Sequence, residues 1–510
     1  MQLSGSGDMQ GKDAAEARSA SRSSRAAGSH RTIDIDHLAG LDDMLNEQFN
    51  LSHQLATSAH SNSSMGSIVD NMLRSARDDI DEESESEQNE PVWGGSRPGR
   101  SPNKDRDFEG AHHRIVADYF NGTDSVYDET DFERRYLLER PNFNRLRDKI
   151  LGQGSFVHGK NATGRAQIHP LVRLMACLHM FVSGCPADEV DQYYRIGEST
   201  ARDAFVELAY LVVENFEDEF LGCPDDDEIE RMLEFNKRRG APGMFGSWDC
   251  SHWKWKNCPT VKAGQYTGRK GTAIVHETVV DHDLECFYHS FGYPGSCNDI
   301  NVLGRSDTLF QIMTGDYKLK APQKYTINGT TRDWMYFLVD GIYPCWTIFI
   351  CPWSKDAVNR DRTGKKKFFN GKQEGWRKDV ERFYSVLAEE CGVLAKPLQP
   401  WYIEDISAIV KCCVILHNMN VRSRKERMRQ AGISGNKWWE EEAFKHNFPN
   451  IAGAASGEGQ GNFRTLFAGE GRSVGQSEWL AVLLANMKDR GEHDRLMNDL
   501  TEHVWNYFRY

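Results

Sequence analysis

Nowhere do these 510 residues run through the roughly 18 consecutive apolar positions that a membrane-spanning helix needs, and the N-terminus has no apolar signal core. Both absences lead us to expect a soluble, intracellular protein with no membrane partner. Twelve cysteines are present but scattered, with no Cys-x-x-Cys pair and no even framework of spacings. The expectation is reduced thiols in the cytosol or nucleus. Residues 1–110 are poor in aromatics, and residues 78–90 are nearly all charge and serine. Such a segment cannot bury enough apolar surface to fold by itself, so it reads as a disordered acidic, Ser-rich tail. A weak apolar pattern over residues 33–49 suits a helix induced by a partner. Residues 97–104 interleave bases with proline, a pattern common to targeting signals and linkers.

What is present in excess is acid: 75 Asp and Glu against 62 Lys and Arg. Residues 1–110 hold 20 acids and 11 bases, which is −9 of the chain's −13 and leaves −4 for the other 400 residues. An acidic balance therefore does not argue against DNA, because the body can still present local basic surfaces. The length exceeds one compact domain. We read a tail over 1–110, a helical region over 111–240, an α/β domain over 241–428, and a Gly-rich linker with C-terminal helices over 429–510.

Within the helical region, residues 169–182 read as one amphipathic helix with Leu171, Leu174, Met175, Leu178 and Phe181 on a face, ended by Gly184 and Pro186. A second short helix is expected over 187–194, then a tight turn with Ser199 as N-cap, then a third helix over 200–216. Residues 169–216 thus suit a helix-turn-helix as well as an ordinary bundle. Arg195 and Arg202 give this unit some capacity for phosphate, against the nearby Asp188, Glu189, Asp191, Glu198, Asp203 and Glu207. Acids at 225–228 start another helix, which Gly240 and Pro242 end.

Strands follow, over 245–249, 272–281 and 286–291, then a short helix from Ile300, a strand over 336–339 running into Asp340-Gly341, and an apolar run over 346–351. Trp376, Val380, Phe383, Tyr384 and Leu387 recur at helical spacing, with Gly392 as a stop. The expected fold is α/β: a mixed sheet of the ribonuclease-H-like arrangement, with acids on the first strand, the fourth strand and a following helix. Asp249, Asp340 and Glu381 stand at those places. Three converging carboxylates are a hard-oxygen site for Mg²⁺ or Mn²⁺, and two such ions can activate a nucleophile and stabilise a leaving oxygen at a phosphodiester.

Each candidate has a plainer reading beside it. Asp249 suits a strand-end turn, Asp340 an Asp-Gly turn, and Glu381 a surface pair with Arg377 or Lys378. Asp299 is the rival second carboxylate and equally suits a helix start. Cys250 and His252 have no second pair at zinc-ligand spacing, and His417, amid an apolar helix, reads as a satisfied core histidine. Lys365, Lys366 and Lys367, with Lys372, Arg377 and Lys378, are expected just before the Glu381 helix. Lys254, Lys256, Arg269 and Lys270 follow the first acid. These bases are the candidate phosphate contacts.

The ordered motifs carry a resemblance. They are Gly246-Ser247-Trp248-Asp249-Cys250-Ser251-His252-Trp253, Asn257-Cys258-Pro259-Thr260, Gly264-Gln265-Tyr266-Thr267-Gly268 and Pro294-Gly295-Ser296. Then come Asn298-Asp299-Ile300-Asn301-Val302-Leu303, Asp340-Gly341-Ile342-Tyr343-Pro344, Gln373-Glu374, Arg377-Lys378-Asp379-Val380-Glu381-Arg382 and Ile415-Leu416-His417-Asn418-Met419. In this order, over roughly half the chain, they resemble the DDE transposases of the PIF/Harbinger superfamily, of the plant-transposon-protein type. The resemblance implies a metal-dependent nuclease and strand transferase acting on transposon ends in double-stranded DNA, in the nucleus. It places the triad on Asp249, Asp340 and Glu381, with 40 residues between the last two. Asp249 would bridge two ions, with Asp340 and Glu381 each completing one. It also implies a separate Myb/SANT-like DNA-binding partner, without which the protein stays cytoplasmic, and allows a homo-oligomer. Members usually continue Glu-Arg-Ala-Phe-Gly after the last acid, where this chain has Glu381-Arg382-Phe383-Tyr384-Ser385. That departure motivates the alternative, a domesticated DNA-binding or scaffolding protein with weakened turnover.

Overall fold

The computed structural model describes residues 104–156, 167–306, 308–309, 324–332, 334–430 and 488–509. Residues 1–103 of the tail expected over 1–110, the glycine-rich linker at 453–471 and the apolar positions 480–487 lie outside the described residues. Among the described residues no helix is long and apolar enough to cross a membrane, and all twelve cysteines are free thiols.

The helical region comprises α1 (Phe108–Tyr119), α2 (Glu129–Tyr136), α3 (Arg140–Gly152), α4 (Pro170–Ser183), α5 (Asp191–Tyr194), α6 (Glu198–Phe220) and α7 (Asp226–Arg238). α1 begins inside the segment read as tail, because the Asp107 carboxylate accepts the Gly110 amide at 2.8 Å and caps it. α4 forms where expected, but Val172, Ala176, Cys177 and Met180 are buried along with Leu174, Met175, Leu178 and Phe181 of the expected stripe, while Leu171 is only half-buried. A helix apolar on all sides is an interior helix. The expected second helix shrinks to the single turn α5. Ser199 does not cap α6, which starts two residues earlier than expected, at Glu198, with Gly197 at its N-cap and no side-chain cap, and runs on to Phe220. Its buried face carries Ala201, Phe205, Leu208, Val212 and Phe216, and its exposed face carries Asp203, Glu207, Glu214 and Asp218.

The α/β part begins with β1 (Met244–Lys254), α8 (Thr260–Tyr266), β2 (Thr267–Gly268), β3 (Gly271–Val280), β4 (Cys286–Pro294) and α9 (Asp299–Leu303). It continues through β5 (Tyr325–Ile327), β6 (Thr330–Arg332), β7 (Tyr336–Leu338), β8 (Phe349–Ile350), α10 (Lys355–Arg360), α11 (Lys365–Glu390), α12 (Ile403–Gln430) and α13 (Arg490–Tyr507). β4, β3 and β1 pair antiparallel, while β7 runs parallel to β1 and β8 parallel to β7. The sheet order is therefore β4-β3-β1-β7-β8, with β2 on the start of β3. The fold is a mixed α/β sheet with helices packed on it. β5 and β6 form a separate two-stranded hairpin.

β1 is twice as long as the apolar run suggests, because residues 250–254 pair with β3. Gly246 is dictated by this pairing: a Cβ there would stand 2.6 Å from the Val280 carbonyl oxygen. Tyr336, Phe337, Leu338 and Val339 are all buried, as expected for parallel strands covered on both faces. The apolar run at 346–351 is strand only at Phe349–Ile350.

α11 differs from expectation at its start. Lys365, Lys366 and Lys367 form its first turn and are not a loop before it. Asp361 and Thr363 accept the amides of Lys366 (2.8 Å) and Lys365 (3.3 Å), so the helix begins as soon as Gly364 allows. α12 buries most of residues 406–419, and the buried His417 and Asn418 have hydrogen-bond partners. Asn418 accepts the Cys286 amide and donates to the Phe220 and Cys286 carbonyls, which joins α12 to α6 and β4. His417 contacts Glu390 at 2.6 Å and the Leu284 carbonyl at 2.8 Å, in keeping with a satisfied core histidine. α13 packs Leu496, Met497, Leu500 and Val504 into one apolar cluster with Tyr336, Leu338, Ile350 and Phe369.

Candidate functional site

Asp249 is not at a strand end. It sits within β1 opposite Thr278 of β3, so the turn reading of this residue does not hold. On the other side β1 pairs Ser247 with Leu338 in parallel register. The same two-residue step along each chain leads to Asp249 and Asp340. Asp340 is exposed just beyond β7, and its carboxylate accepts the Gly341 amide at 2.7 Å, the expected Asp-Gly turn.

The third acid comes from α11. Gln373, Arg377, Glu381 and Tyr384 are spaced four, four and three residues apart, so they make one polar stripe along the helix. Gln373 is buried and donates to the carbonyls of Val339 (2.9 Å) and Ile350 (3.0 Å), pinning α11 over β7 and β8. Arg377 donates to the Asp249 carboxylate at 3.2 Å and to Glu381 at 2.6 Å. The Tyr384 hydroxyl reaches the Asp249 backbone carbonyl at 3.0 Å. Asp379, on the opposite side of the helix from this stripe, is fully buried against Arg239 at 2.9 Å and Arg382 at 3.1 Å. The surface pairing weighed for Glu381 is thus present, but its partner also holds Asp249.

Burial pushes the Asp249 carboxyl up to about 6. Its own Cys250 amide and Arg377 oppose this, and the charges of Asp299 and Glu381 add to it. Burial, then Asp340, raises Asp299 as well, against Lys270 and Arg377. The charges of Asp299 and Glu381 thus reach Asp249 within β1, and that of Asp340, just beyond β7, reaches Asp299. Asp299 opens α9 but does not cap it: Asn298 does, accepting the Asn301 amide at 2.9 Å. Cys250 lies 3.6 Å from the Tyr343 hydroxyl, and neither it nor His252 belongs to a metal-ligating group among the described residues.

The candidate phosphate contacts divide in two. Lys254, Lys256, Arg269, Lys270, Lys367 and Lys378 are exposed. Others are engaged within the protein: Lys365 with Glu502 (2.7 Å), Lys366 over the Trp353 ring (3.8 Å), Lys372 over the Phe508 ring (3.9 Å) and Arg202 with Glu198 (2.5 Å). Arg195 is half-buried, with a left-handed backbone at φ 57°. Nothing in the sequence signalled Arg377, Gln373 or Tyr384 as a joined stripe except their shared helical phase.

Acidic clusters that can hold a metal ion are present among the described residues. Asp281, His282 and Asp283 form one, and Glu228, Asp281 and Glu285 another, each with ligand atoms within 4.8 Å of one another. A cation already belongs to them: the Lys425 ammonium lies 2.6 Å from Asp281, 2.7 Å from Glu285 and 2.8 Å from Glu228. Asp249, Asp340 and Glu381 do not form such a group among the described residues. Their hard-oxygen donors fit Mg²⁺ or Mn²⁺ in chemistry, and the Arg377 guanidinium stands between two of them.

No curated protein and no solved structure matches the chain. Residues 218–428, from the end of α6 to the last turn of α12, match the family model described as plant transposon protein. The matched span holds the whole sheet with Asp249, Asp299, Asp340 and Glu381, and the similarity supports a transposon-derived protein.

Proposed function

We propose that this protein is a divalent-metal-dependent DNA endonuclease of the transposase kind, with Asp249, Asp340 and Glu381 as its catalytic carboxylates. The observation that carries the reading is the placement of the three acids. Asp249 lies on the central strand, Asp340 follows the adjacent parallel strand in step with it, and Glu381 comes from the helix joined to Asp249 through Arg377. The order β4-β3-β1-β7-β8, antiparallel on one side of β1 and parallel on the other, favours the ribonuclease-H-like arrangement. The family match supports the PIF/Harbinger resemblance at the level of transposon origin.

Asp249, Asp340 and Glu381 would hold Mg²⁺ or Mn²⁺, which when bound lowers the pKa of an attacking water and stabilises charge at the phosphodiester. The chain's own part is to hold the carboxylates and the DNA. Gln373 and Tyr384 keep α11 in register with the strands. The exposed Lys254, Lys256, Arg269, Lys270, Lys367 and Lys378 contact phosphates, fixing position without reading sequence. The acidic exposed face of α6 disfavours DNA, so tight end recognition falls to a separate Myb/SANT-like partner in the nucleus.

The test is cleavage of duplexes taken from the gene's flanking terminal repeats, with Mn²⁺ and the purified full chain. We expect cleavage by the wild type and none by Asp249→Asn or Asp340→Asn. Cleavage that survives both substitutions would sink the assignment. A second reading, a DNA-binding or scaffolding protein without turnover, is favoured by the guanidinium held between Asp249 and Glu381. Phe383, fully buried where the family usually has Ala, favours it too. DNA binding with no metal-dependent cleavage of any duplex would decide for it.

A further inference from the structure

Arg377 makes two contacts that a lone surface pair would not. Its guanidinium spans from Glu381, one helical turn further along α11, to Asp249 on β1. Arg377 and Asp249 are both largely buried, at 15% and 18% side-chain exposure. Among the described residues it is the cation that hydrogen-bonds both acids. Two carboxylates brought together in a partly buried site repel, and a planar guanidinium with forked donors relieves this by bonding to both.

Resting on the functional reading above, we propose that Arg377 is the resident cation of this site. A divalent metal ion enters only by displacing it from Asp249 and Glu381, and the released guanidinium then serves a DNA phosphate. Metal and DNA are thereby linked. Metal bound by the two acids frees an anion-binding group at the cleft, and a phosphate that takes the guanidinium leaves the acids open for metal. Linkage of this kind is reciprocal, with coupling typically about 5- to 150-fold. The neighbouring Lys378 is already exposed and needs no such release. The device would keep the acids neutralised, and the metal loosely held, until DNA is present.

The experiment is titration of the full chain with Mn²⁺ alone, following free Mn²⁺ by electron paramagnetic resonance, for the wild type, Arg377→Gln, Arg377→Lys and Asp249→Asn. Circular dichroism confirms that each variant is folded. We expect Arg377→Gln to bind Mn²⁺ about tenfold more tightly than the wild type, a direction that loss of a merely structural residue would not produce. Arg377→Lys, whose compact ammonium lacks the planar fork, should fall between them. In fluorescence anisotropy with a short duplex, added Mn²⁺ should strengthen DNA binding more for the wild type than for Arg377→Gln. Equal or weaker Mn²⁺ binding by folded Arg377→Gln overturns the inference while leaving the functional reading intact, provided Asp249→Asn still abolishes binding. Mn²⁺ binding unchanged by Asp249→Asn overturns both.

Discussion

The Tyr384 hydroxyl of α11 lies 3.0 Å from the backbone carbonyl of Asp249, and the same oxygen stands 2.9 Å from the His276 carbonyl and accepts from Thr278 at 2.8 Å. One buried hydroxyl thus joins the helix to β1 and β3 at the residue that carries the candidate carboxylate. Tyr384→Phe keeps the ring and leaves these groups short of a partner. We expect a loss of about 1–3 kcal/mol in a denaturant melt, together with weaker Mn²⁺ binding. If both stay at wild-type values, the hydroxyl does not hold Asp249 in place.

The Asp249 carboxyl, raised by burial from 3.8 to about 6, sets a pH dependence. A carboxyl with a raised folded-state value favours the protonated form in the folded protein. Its stabilising contribution is complete below its unfolded value and is lost as pH rises through about 6. Asp249→Asn removes this dependence. Without metal, the variant should be more stable than the wild type by ~2 kcal/mol near pH 7.5, and the gap should close near pH 3.5. Thermal melts across that range read it directly; a constant gap would show that Asp249 titrates normally.

Lys425 is the counterpart at the other acidic cluster. Its ammonium is raised well above the ordinary lysine range: burial works against the charge, but Asp281, Glu285, Asp283 and Glu228 outweigh it. Removing one partner of a buried ionic group strands the others, so Lys425→Met should cost about 3–5 kcal/mol at neutral pH. Part of the loss should return as the pH falls and the stranded acids take up protons. A variant as stable as the wild type would mean that the cluster holds some other cation.

Deleting residues 488–510 tests whether α13 belongs to the core. It removes four buried apolar side chains, each worth roughly 1.5–3 kcal/mol, and uncovers Leu338, Ile350 and Phe369. It also strips Arg332, itself buried, of Glu492 (3.1 Å) and Asp499 (2.7 Å). We expect an aggregated or unfolded product by size-exclusion chromatography. A monodisperse, cooperatively melting product would show that α13 is dispensable to the sheet.

Local features were legible in the sequence because their causes are local. The apolar period of α4, the acids that open α7 behind its Asp225 cap, and the buried run of β7 are set by neighbours a few residues apart. So was the candidacy of Asp249, Asp340 and Glu381, each recognisable by what surrounds it in the chain. The start of α11 was misplaced because three lysines look like a loop until Asp361 and Thr363 are seen to cap them.

Only the tertiary structure decided what those residues do to one another. Arg377 meets Asp249 across 128 positions, Lys425 meets Asp281 across 144, and Asn418 joins Phe220 across 198. Periodicity carries no information about such pairs, because each depends on how a helix is rotated against a distant strand. The sequence by itself determined that a mixed sheet would carry acids with bases nearby. Packing decided that one of those bases would be the guanidinium seated between two of the acids, because α11 places Arg377 in the same helical phase as Glu381 and directly over β1.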